Sequence, residues 1–288
     1  MGTKTGISWT DATWNPVTGC TRISEGCRHC YAERLAATRL KDTLRYKGLA
    51  VIDGGQPHWT SKIKLHPELL DWPQRKKKPL RIFVNSMSDL FHPGVPADFI
   101  AEVFRAMAAC PQHTFQILTK RHDRMRKLLS IIQPEPLPNV WLGVSVEDQK
   151  NAEIRIPSLL ETPAAVRFIS AEPLLEPLDL TNLCVYGGQR LHALSKIYTS
   201  PSLDWIIVGG ESGPHARPFK LEWARNLRDQ CRGSGVPFFA KQLGSNPLDC
   251  DVPGAADPKE HMRYHTDHRS GADPAEWPDD LRVQEFPR

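Results

Sequence analysis

Residues 81–118 read RIFVNSMSDLFHPGVPADFIAEVFRAMAACPQHTFQIL, and this stretch contains the pattern that decides the fold. It begins with a short run that is apolar on both faces, residues 81–85, and ends with a second such run, residues 114–118. Between them, residues 96–110 have the length and periodicity of a helix, with Pro96 near the first turn. Strands that are apolar on both faces are typical of a buried parallel sheet. The stretch therefore predicts a strand, a helix and a second, parallel strand.

The same alternation continues toward the C-terminus. Further strands are predicted at residues 140–144, 165–169, 205–208 and 236–240. Further helices are predicted at residues 121–131, 148–160 and 221–231, the last closed by Gly233. This order predicts an α/β fold with a parallel sheet, closed fully or partly as a (β/α) barrel. In such a barrel the carboxyl ends of the strands meet at one mouth, where the active site lies.

Two regions fit the alternation less well. Residues 38–79 contain little strand signal and are predicted to be an insertion within a barrel of residues 1–244. From residue 245 onward the chain is polar and rich in Pro and Asp, with apolar anchors at Trp277 and Phe286. We expect residues 245–288 to form an irregular tail that packs on the barrel.

The composition is that of an ordinary globular protein. The 288 residues include 40% hydrophobic residues, and 37 Lys and Arg against 33 Asp and Glu give a net charge of +4. This charge is too small to diagnose a nucleic-acid-binding protein by itself. No run approaches the roughly 20 apolar residues that span a bilayer, and the N-terminus lacks the apolar core of a signal peptide. We expect a cytoplasmic protein without a membrane partner.

The cysteines indicate a metal site. Three of the seven are close together in the pattern Cys20-x6-Cys27-x2-Cys30, which in a reducing compartment favours metal binding over disulfides. A closed zinc site needs a fourth ligand, which could come from His29, His92 or a distant cysteine. An iron-sulfur cluster held by three cysteines leaves one iron without a protein ligand, and that iron can bind a cofactor. Radical S-adenosylmethionine (SAM) enzymes require this arrangement.

Four stretches of the chain resemble a known family. They are Trp14-Asn15-Pro16-Val17-Thr18-Gly19-Cys20, Gly26-Cys27-Arg28-His29-Cys30-Tyr31-Ala32-Glu33, Ile169-Ser170-Ala171-Glu172-Pro173-Leu174 and Val208-Gly209-Gly210-Glu211-Ser212-Gly213-Pro214. Together they are similar to a phage-encoded three-cysteine-motif family, which looks like a branch of the radical SAM superfamily near the spore-photoproduct-lyase-like group. The resemblance covers residues 7–244 and, weakly, 277–287. The superfamily spacing is Cys-x3-Cys-x2-Cys, whereas six residues separate the first two cysteines here.

The resemblance implies a set of cofactors and contacts. Cys20, Cys27 and Cys30 would hold a [4Fe-4S] cluster, and the amine and carboxylate of SAM would chelate the open iron. His29 occupies the position where the superfamily carries an aromatic ring near the adenine. Ser86 and Asp89 lie in a stretch where this branch holds the methionyl amine, although Ser and Asp are also ordinary turn residues. The expected electron donor is a flavodoxin or a ferredoxin.

Polar residues after the later strands are further candidates. Cofactor contacts are expected at the ends of three predicted strands: Ser145, Glu147, Ser170, Glu172, Gly209 and Gly210. The two glycines suggest close approach of the backbone to a ligand such as the adenine edge. Glu211, followed by His215 and Arg217, would face the substrate, and Cys231 is a candidate for the catalytic thiol. The alternative is that these carboxylates are merely solvated.

Two basic runs point to a polyanionic substrate. They are Arg75-Lys76-Lys77-Lys78 and residues 120–127, where Arg121, Arg124 and Lys127 fall on one face of a helix. Each run alone is equally typical of a solvated surface, but two of them beside one barrel mouth would suit DNA or a nucleotide. With the family resemblance, they suggest radical rearrangement or hypermodification of a thymine base in phage DNA.

Two alternative functions remain open. One is a lyase that repairs a thymine lesion and uses a thiol as hydrogen donor, with three candidates: Cys110, Cys184 and Cys231. The other is a zinc-stabilised nucleic-acid-binding protein without catalytic activity.

Overall fold

The computed structural model describes residues 5–196, 201–250 and 262–287. Its main element is a parallel sheet of seven strands that follow one another in sequence order. The strands are β1 (Ala12–Trp14), β2 (Arg81–Val84), β3 (Thr114–Thr119), β4 (Val140–Ser145), β5 (Val166–Ala171), β6 (Trp205–Gly209) and β7 (Phe238–Gln242). The strand order is linear among the described residues, so the structure shows an α/β fold with a parallel sheet and not a closed barrel.

The sheet forms because its strands are apolar on both faces. Ile82 and Val84 of β2 are fully buried, as are Ile206 and Ile207 of β6. The register places Ile82 beside Ala12 of β1 and Phe115 of β3. The six strands that the sequence predicted are all present, each within a few residues of its expected bounds. β1 was not predicted, because three residues are too few to give a periodic signal.

Five α-helices accompany the strands in the described part of the chain. They are α1 (Tyr31–Ala37), α2 (Ala97–Ala108), α3 (His122–Ile132), α4 (Gln149–Leu160) and α5 (Leu221–Ser234). α2 buries a stripe that includes Phe99, Ile100 and Val103, as its periodicity predicted. The predicted end of α5 was wrong: Gly233 is helical, and the cap is Gly235 at φ 64°, a left-handed conformation that favours glycine.

Residues 38–79 contain more strand than expected. Ala50–Asp53 pairs antiparallel with Gln56–Trp59 through a turn at Gly54 and Gly55, whose positive φ values of 52° and 75° suit a tight hairpin. Lys64–Leu65 pairs with Val17–Thr18. Short 3₁₀ helices follow at Pro67–Leu69 and Pro73–Arg75.

The later part of the chain adds small elements. Phe219–Lys220, Pro247–Asp249 and Met262–Arg263 form a three-stranded sheet, and Leu183–Cys184 pairs with Arg190–Leu191. Short 3₁₀ helices lie at Tyr186–Gly188, Pro274–Glu276 and Asp279–Leu281. Trp277 is 1% exposed, and the ring of Phe286 lies 5.2 Å from that of Phe239 in β7. Phe286 and the backbone hydrogen bonds of Val283 and Glu285 hold the C-terminal segment against β7.

The chain forms two compact units. The first comprises Met1–Val144 with Glu161–Val166, and the second comprises Ser145–Leu160 with Arg167–Arg288. The sequence instead predicted a boundary at residue 244, and that division stays a prediction. Among the described residues, no helix has both the length and the apolar character needed to cross a bilayer.

Candidate functional site

The three clustered cysteines lie on one loop of the first unit, between Val17–Thr18 and α1. Cys20 follows Gly19, whose φ of 92° and position leave no room for a side chain, since a Cβ there would lie 2.2 Å from the carbonyl oxygen of Lys62. Cys27 ends the 3₁₀ helix Glu25–Cys27, and Cys30 is the N-cap residue of α1. All three are half-buried free thiols.

Burial raises the pKa of two of these thiols. It raises the pKa of the Cys20 thiol to about 12, with a further contribution from the Asp89 carboxylate, while Arg121 lowers it and Cys30 and Cys27 raise it. Burial also raises the pKa of Cys30, against the opposing effect of backbone hydrogen bonds at the start of α1. Binding of a metal by these residues would have to displace the thiol protons. Among the described residues, no three His, Cys, Asp or Glu side chains are grouped so as to hold one metal ion.

Arg121 ties the cysteine loop to the ends of two strands. Its Nη1 donates to Asp89 Oδ2 at 3.0 Å, and its Nη2 donates to Thr21 Oγ1 at 2.8 Å and to the Thr21 carbonyl at 3.1 Å. Nη1 also lies 3.9 Å from Cys20 Sγ. Both members of the Arg121–Asp89 ion pair are buried, with side chains 9% and 8% exposed. Arg121 is thus a buried internal link at the N-cap of α3, and a contact with phosphate stays a prediction.

The stretch after β2 forms a network of turns. Asp89 accepts hydrogen bonds from Thr119 Oγ1 at 2.8 Å and from the backbone N–H of Phe91 at 2.9 Å. Ser86 Oγ donates to Asn15 Oδ1 at 3.3 Å, and the Ser86 carbonyl accepts from the Tyr31 hydroxyl. Asp89 is thus occupied by protein donors, as the turn interpretation expected, while Ser86 is half-buried. Their contact with SAM stays a prediction.

The two histidines suggested as fourth zinc ligands differ in their surroundings. His29 is half-buried within the cysteine loop. His92 is buried, its Nε2 lies 3.0 Å from Thr21 Oγ1, and its Nδ1 accepts from the Gly94 N–H at 3.0 Å. Burial lowers the pKa of His92. Both ring nitrogens of His92 are therefore engaged by the protein.

The candidate carboxylates of the second unit form internal ion pairs. Glu147 is fully buried and lies 2.8 Å from Arg155, which also donates to the Ser145 carbonyl. Ser170 is buried, and its carbonyl accepts from the Val146 N–H. These contacts are structural, and a cofactor role for the three residues stays a prediction.

Glu172 and the glycine loop after β6 also have protein partners. Glu172 pairs with Lys241 at 2.6 Å. A Cβ on Gly210 would lie 2.3 Å from the Leu243 carbonyl, and one on Gly209 would lie 3.3 Å from the Glu172 side chain. The close approach at these glycines is therefore to the protein itself, and a ligand contact of Gly209 and Gly210 stays a prediction. Glu211 is buried and pairs with Arg217 at 2.6 Å.

The isolated cysteines differ in exposure. Cys231 is fully buried in α5, and burial raises its pKa to about 12. Cys110 is also buried, and burial raises its pKa as well. Cys184 is exposed. A catalytic role for Cys231 stays a prediction, and its thiol lies in a helix instead of at a strand end.

The basic runs are partly used within the protein. Lys76 lies over the ring of Trp72 at 5.2 Å. Arg124 donates to the His92 and Val95 carbonyls, and Lys127 pairs with Asp123 at 2.7 Å. Lys77 and Lys78 are exposed. The face of α3 predicted to meet phosphates is therefore mainly engaged with its own unit.

Glu33 makes a contact with the cysteine loop that the sequence did not indicate. The carboxylate of Glu33, whose side chain is 1% exposed, accepts from Arg22 Nε at 2.8 Å and from the Trp59 N–H at 2.7 Å. It thereby joins the loop between Cys20 and Cys27 to the hairpin. No local pattern distinguished Glu33 from the neighbouring charged residue Arg34, and its partner Trp59 is distant in sequence.

Comparison with known proteins identifies a family and no function. A family model described as "Protein of unknown function (DUF5131)" matches residues 4–271, and the chain belongs to this family. No curated protein and no solved structure matches.

Proposed function

We propose that this member of the DUF5131 family is a radical SAM enzyme whose cluster is held by Cys20, Cys27 and Cys30. One observation carries the proposal: three free thiols lie on a single loop, and Arg121 joins this loop to the carboxyl ends of β2 and β3. Active sites of parallel α/β folds lie at these strand ends.

The residues present fit a [4Fe-4S] cluster by their chemistry. The donor set consists of three thiols and no carboxylate, which suits iron-sulfur ligation. None of the three is in a disulfide. With the cluster and SAM bound, reductive cleavage of the sulfonium would supply a 5'-deoxyadenosyl radical.

The surrounding residues hold the loop in place. Arg121 fixes Thr21, next to Cys20, and Glu33 fixes Arg22. The positive charge of Arg121, 3.9 Å from Cys20 Sγ, favours the thiolate form. Ser86 lies at the end of β2, where its carbonyl accepts from Tyr31, the residue after Cys30. Ser86 is thus the best placed of the predicted SAM contacts.

For the substrate we propose a thymine base, or a modified thymine, in DNA. The support is the resemblance of the quoted motifs to a phage family near a thymine-lesion lyase, together with the exposed residues Lys77 and Lys78. A base in duplex DNA would have to leave the stack to bring a hydrogen within reach of the radical. The product would be a rearranged or hypermodified base.

The cluster is tested by anaerobic reconstitution with iron and sulfide. We expect a brown protein with broad visible absorption, and loss of iron loading in Cys20→Ala, Cys27→Ala and Cys30→Ala, each compared with the control Cys184→Ala. A colourless protein that retains zinc would favour the zinc-stabilised binding protein instead. The substrate is tested by incubating reduced protein, SAM and thymine-containing DNA without oxygen, followed by mass spectrometry of the nucleosides.

A further inference from the structure

The second unit contains an open cavity of about 670 Å³, and of its lining the sequence singled out only the end of the glycine motif after β6 and His215. Its walls come from two places: the loop after β6, at residues 213–216, and the segments that follow β7, at residues 245–247 and 263–269. Ligand cavities typically measure roughly 300–1,000 Å³, so this one is large enough for a nucleotide. It lies beyond the carboxyl ends of β6 and β7, where parallel α/β folds bind ligands.

The walls are held together by hydrogen bonds. Ser245 Oγ accepts from the Gly213 N–H at 2.9 Å and donates to the Arg269 carbonyl at 2.6 Å, so one side chain joins both sides. Arg263 lies on the short strand Met262–Arg263, in register with Leu248. The Tyr264 hydroxyl donates to the Glu276 carbonyl at 3.0 Å, which fixes one aromatic ring of the lining.

The lining is basic and aromatic. Arg263 and Arg269 contribute two positive charges against the single carboxylate of Asp267. Among the described residues, the Arg269 guanidinium has no acceptor, and Arg263 makes only a 3.3 Å contact with the Ser245 carbonyl. Guanidinium groups with free donors are suited to binding phosphate.

The backbone at one wall is strained. His215 adopts φ 60°, a left-handed conformation that residues with side chains rarely occupy. Such conformations are concentrated at ligand-binding sites. The ring of His215 lines the cavity with those of Tyr264 and His265, and rings of this kind can stack on nucleobases.

From these features we infer that the cavity binds a phosphate and the adjoining base of single-stranded DNA through Arg263 and Arg269. This inference rests on the proposed function for the identity of the nucleic acid, and it assigns the contact to residues outside both basic runs of the sequence. A neutral ligand would leave the two guanidinium groups without a counter-charge.

The test is fluorescence anisotropy with a labelled twelve-residue thymidine oligonucleotide across a salt series. In Arg263→Gln/Arg269→Gln we expect affinity to fall at least tenfold, and the salt slope to flatten by about 0.7, which is roughly the contribution of one phosphate contact on a single strand. The matched control is Arg190→Gln/Arg232→Gln, which removes two exposed charges of the same unit. Arg269→Gln alone breaks no side-chain hydrogen bond among the described residues, so its smaller loss of affinity separates binding from folding.

The outcomes separate this inference from the proposed function. Equal affinities and slopes for wild type and Arg263→Gln/Arg269→Gln would overturn the inference, as would an absence of oligonucleotide binding by the wild type. Binding must also persist in Cys20→Ala/Cys27→Ala/Cys30→Ala, because that variant leaves the second unit unchanged. Retained arginine-dependent binding in a protein that never cleaves SAM would support the cavity site while overturning the radical SAM proposal.

Discussion

The cysteine loop of the first unit and the strand ends of the second unit are both rich in polar residues, but they use them differently. At the strand ends, Glu147, Glu172 and Glu211 each pair with a cation of their own unit. Around the cysteine loop, Arg121 and Glu33 hold the backbone in place, while none of the three thiols is in a disulfide. Charge at these strand ends is therefore internally compensated, whereas the ion pairs around the loop flank three thiols that form no disulfide.

The largest expected effect comes from removing the cation of a buried ion pair in the second unit. In Arg155→Met, the fully buried Glu147 loses its partner, and breaking such a pair costs about 3–5 kcal/mol. Urea denaturation should show this loss of unfolding free energy. Iron loading per folded molecule should be unchanged, because the cysteines lie in the other unit.

The double variant Glu147→Leu/Arg155→Met provides the control. Replacing both charges with apolar side chains should recover much of the lost stability. If Arg155→Met lowers the free energy of unfolding by less than about 1 kcal/mol, the pair behaves like an exposed ion pair. That result would contradict a buried, paired Glu147.

A somewhat smaller loss of stability is expected when the ion pair beside the cysteine loop is removed. Arg121→Gln leaves Asp89 without its cation, which should cost about 3 kcal/mol because both side chains are buried. Unlike Arg155→Met, it should also reduce iron content, since Thr21 beside Cys20 loses two hydrogen bonds. Arg121→Lys keeps the charge but not the planar set of donors, and it should restore iron content only in part. Full iron content in folded Arg121→Gln would show that the loop needs no such support.

Two glycines of the first unit differ in whether the backbone leaves room for a side chain. Gly19 and Gly48 both have positive φ, 92° and 78°, but only Gly19 has a backbone atom in the path of a Cβ. Gly48→Ala should cost about 1 kcal/mol of backbone strain and leave iron content unchanged. Gly19→Ala should cost about 1–3 kcal/mol more through the clash and should lower iron content by moving Cys20. Thermal denaturation and iron analysis of the two variants measure the difference, and equal effects would contradict it.

The smallest effect concerns thiol reactivity in the metal-free protein and involves no change in stability. The pKa of Cys20, raised to about 12, keeps the thiol protonated near pH 8, and its thiolate should increase about tenfold for each pH unit below that pKa. Iodoacetamide should therefore modify the exposed Cys184 well before Cys20 or Cys231, as followed by peptide mass spectrometry. Faster modification of Cys20 than of Cys184 at pH 8 would contradict the effect of burial.

The sequence predicted the sheet better than it predicted the site. Runs such as Trp205–Gly209 are apolar on both faces, so local pattern alone identifies them as buried parallel strands. The partners of polar groups were not predictable in this way. Arg121 and Asp89 are 32 residues apart, and Glu33 meets Trp59 across 26 residues, so no local pattern links them. Gly210 shows the same limit: the pattern indicates a close approach, but only the fold shows that the neighbour is the Leu243 carbonyl.

The central claim is that the free thiols of the loop hold a cluster that cleaves SAM. Its most direct measurement is the 5'-deoxyadenosine formed when the anaerobically reconstituted, chemically reduced protein is incubated with SAM alone. We predict formation of 5'-deoxyadenosine and methionine by the wild type and by Cys184→Ala, and none by Cys20→Ala, Cys27→Ala or Cys30→Ala. Wild-type protein that forms no 5'-deoxyadenosine, or an alanine variant of any of the three cysteines that forms it at the wild-type rate, would contradict the claim.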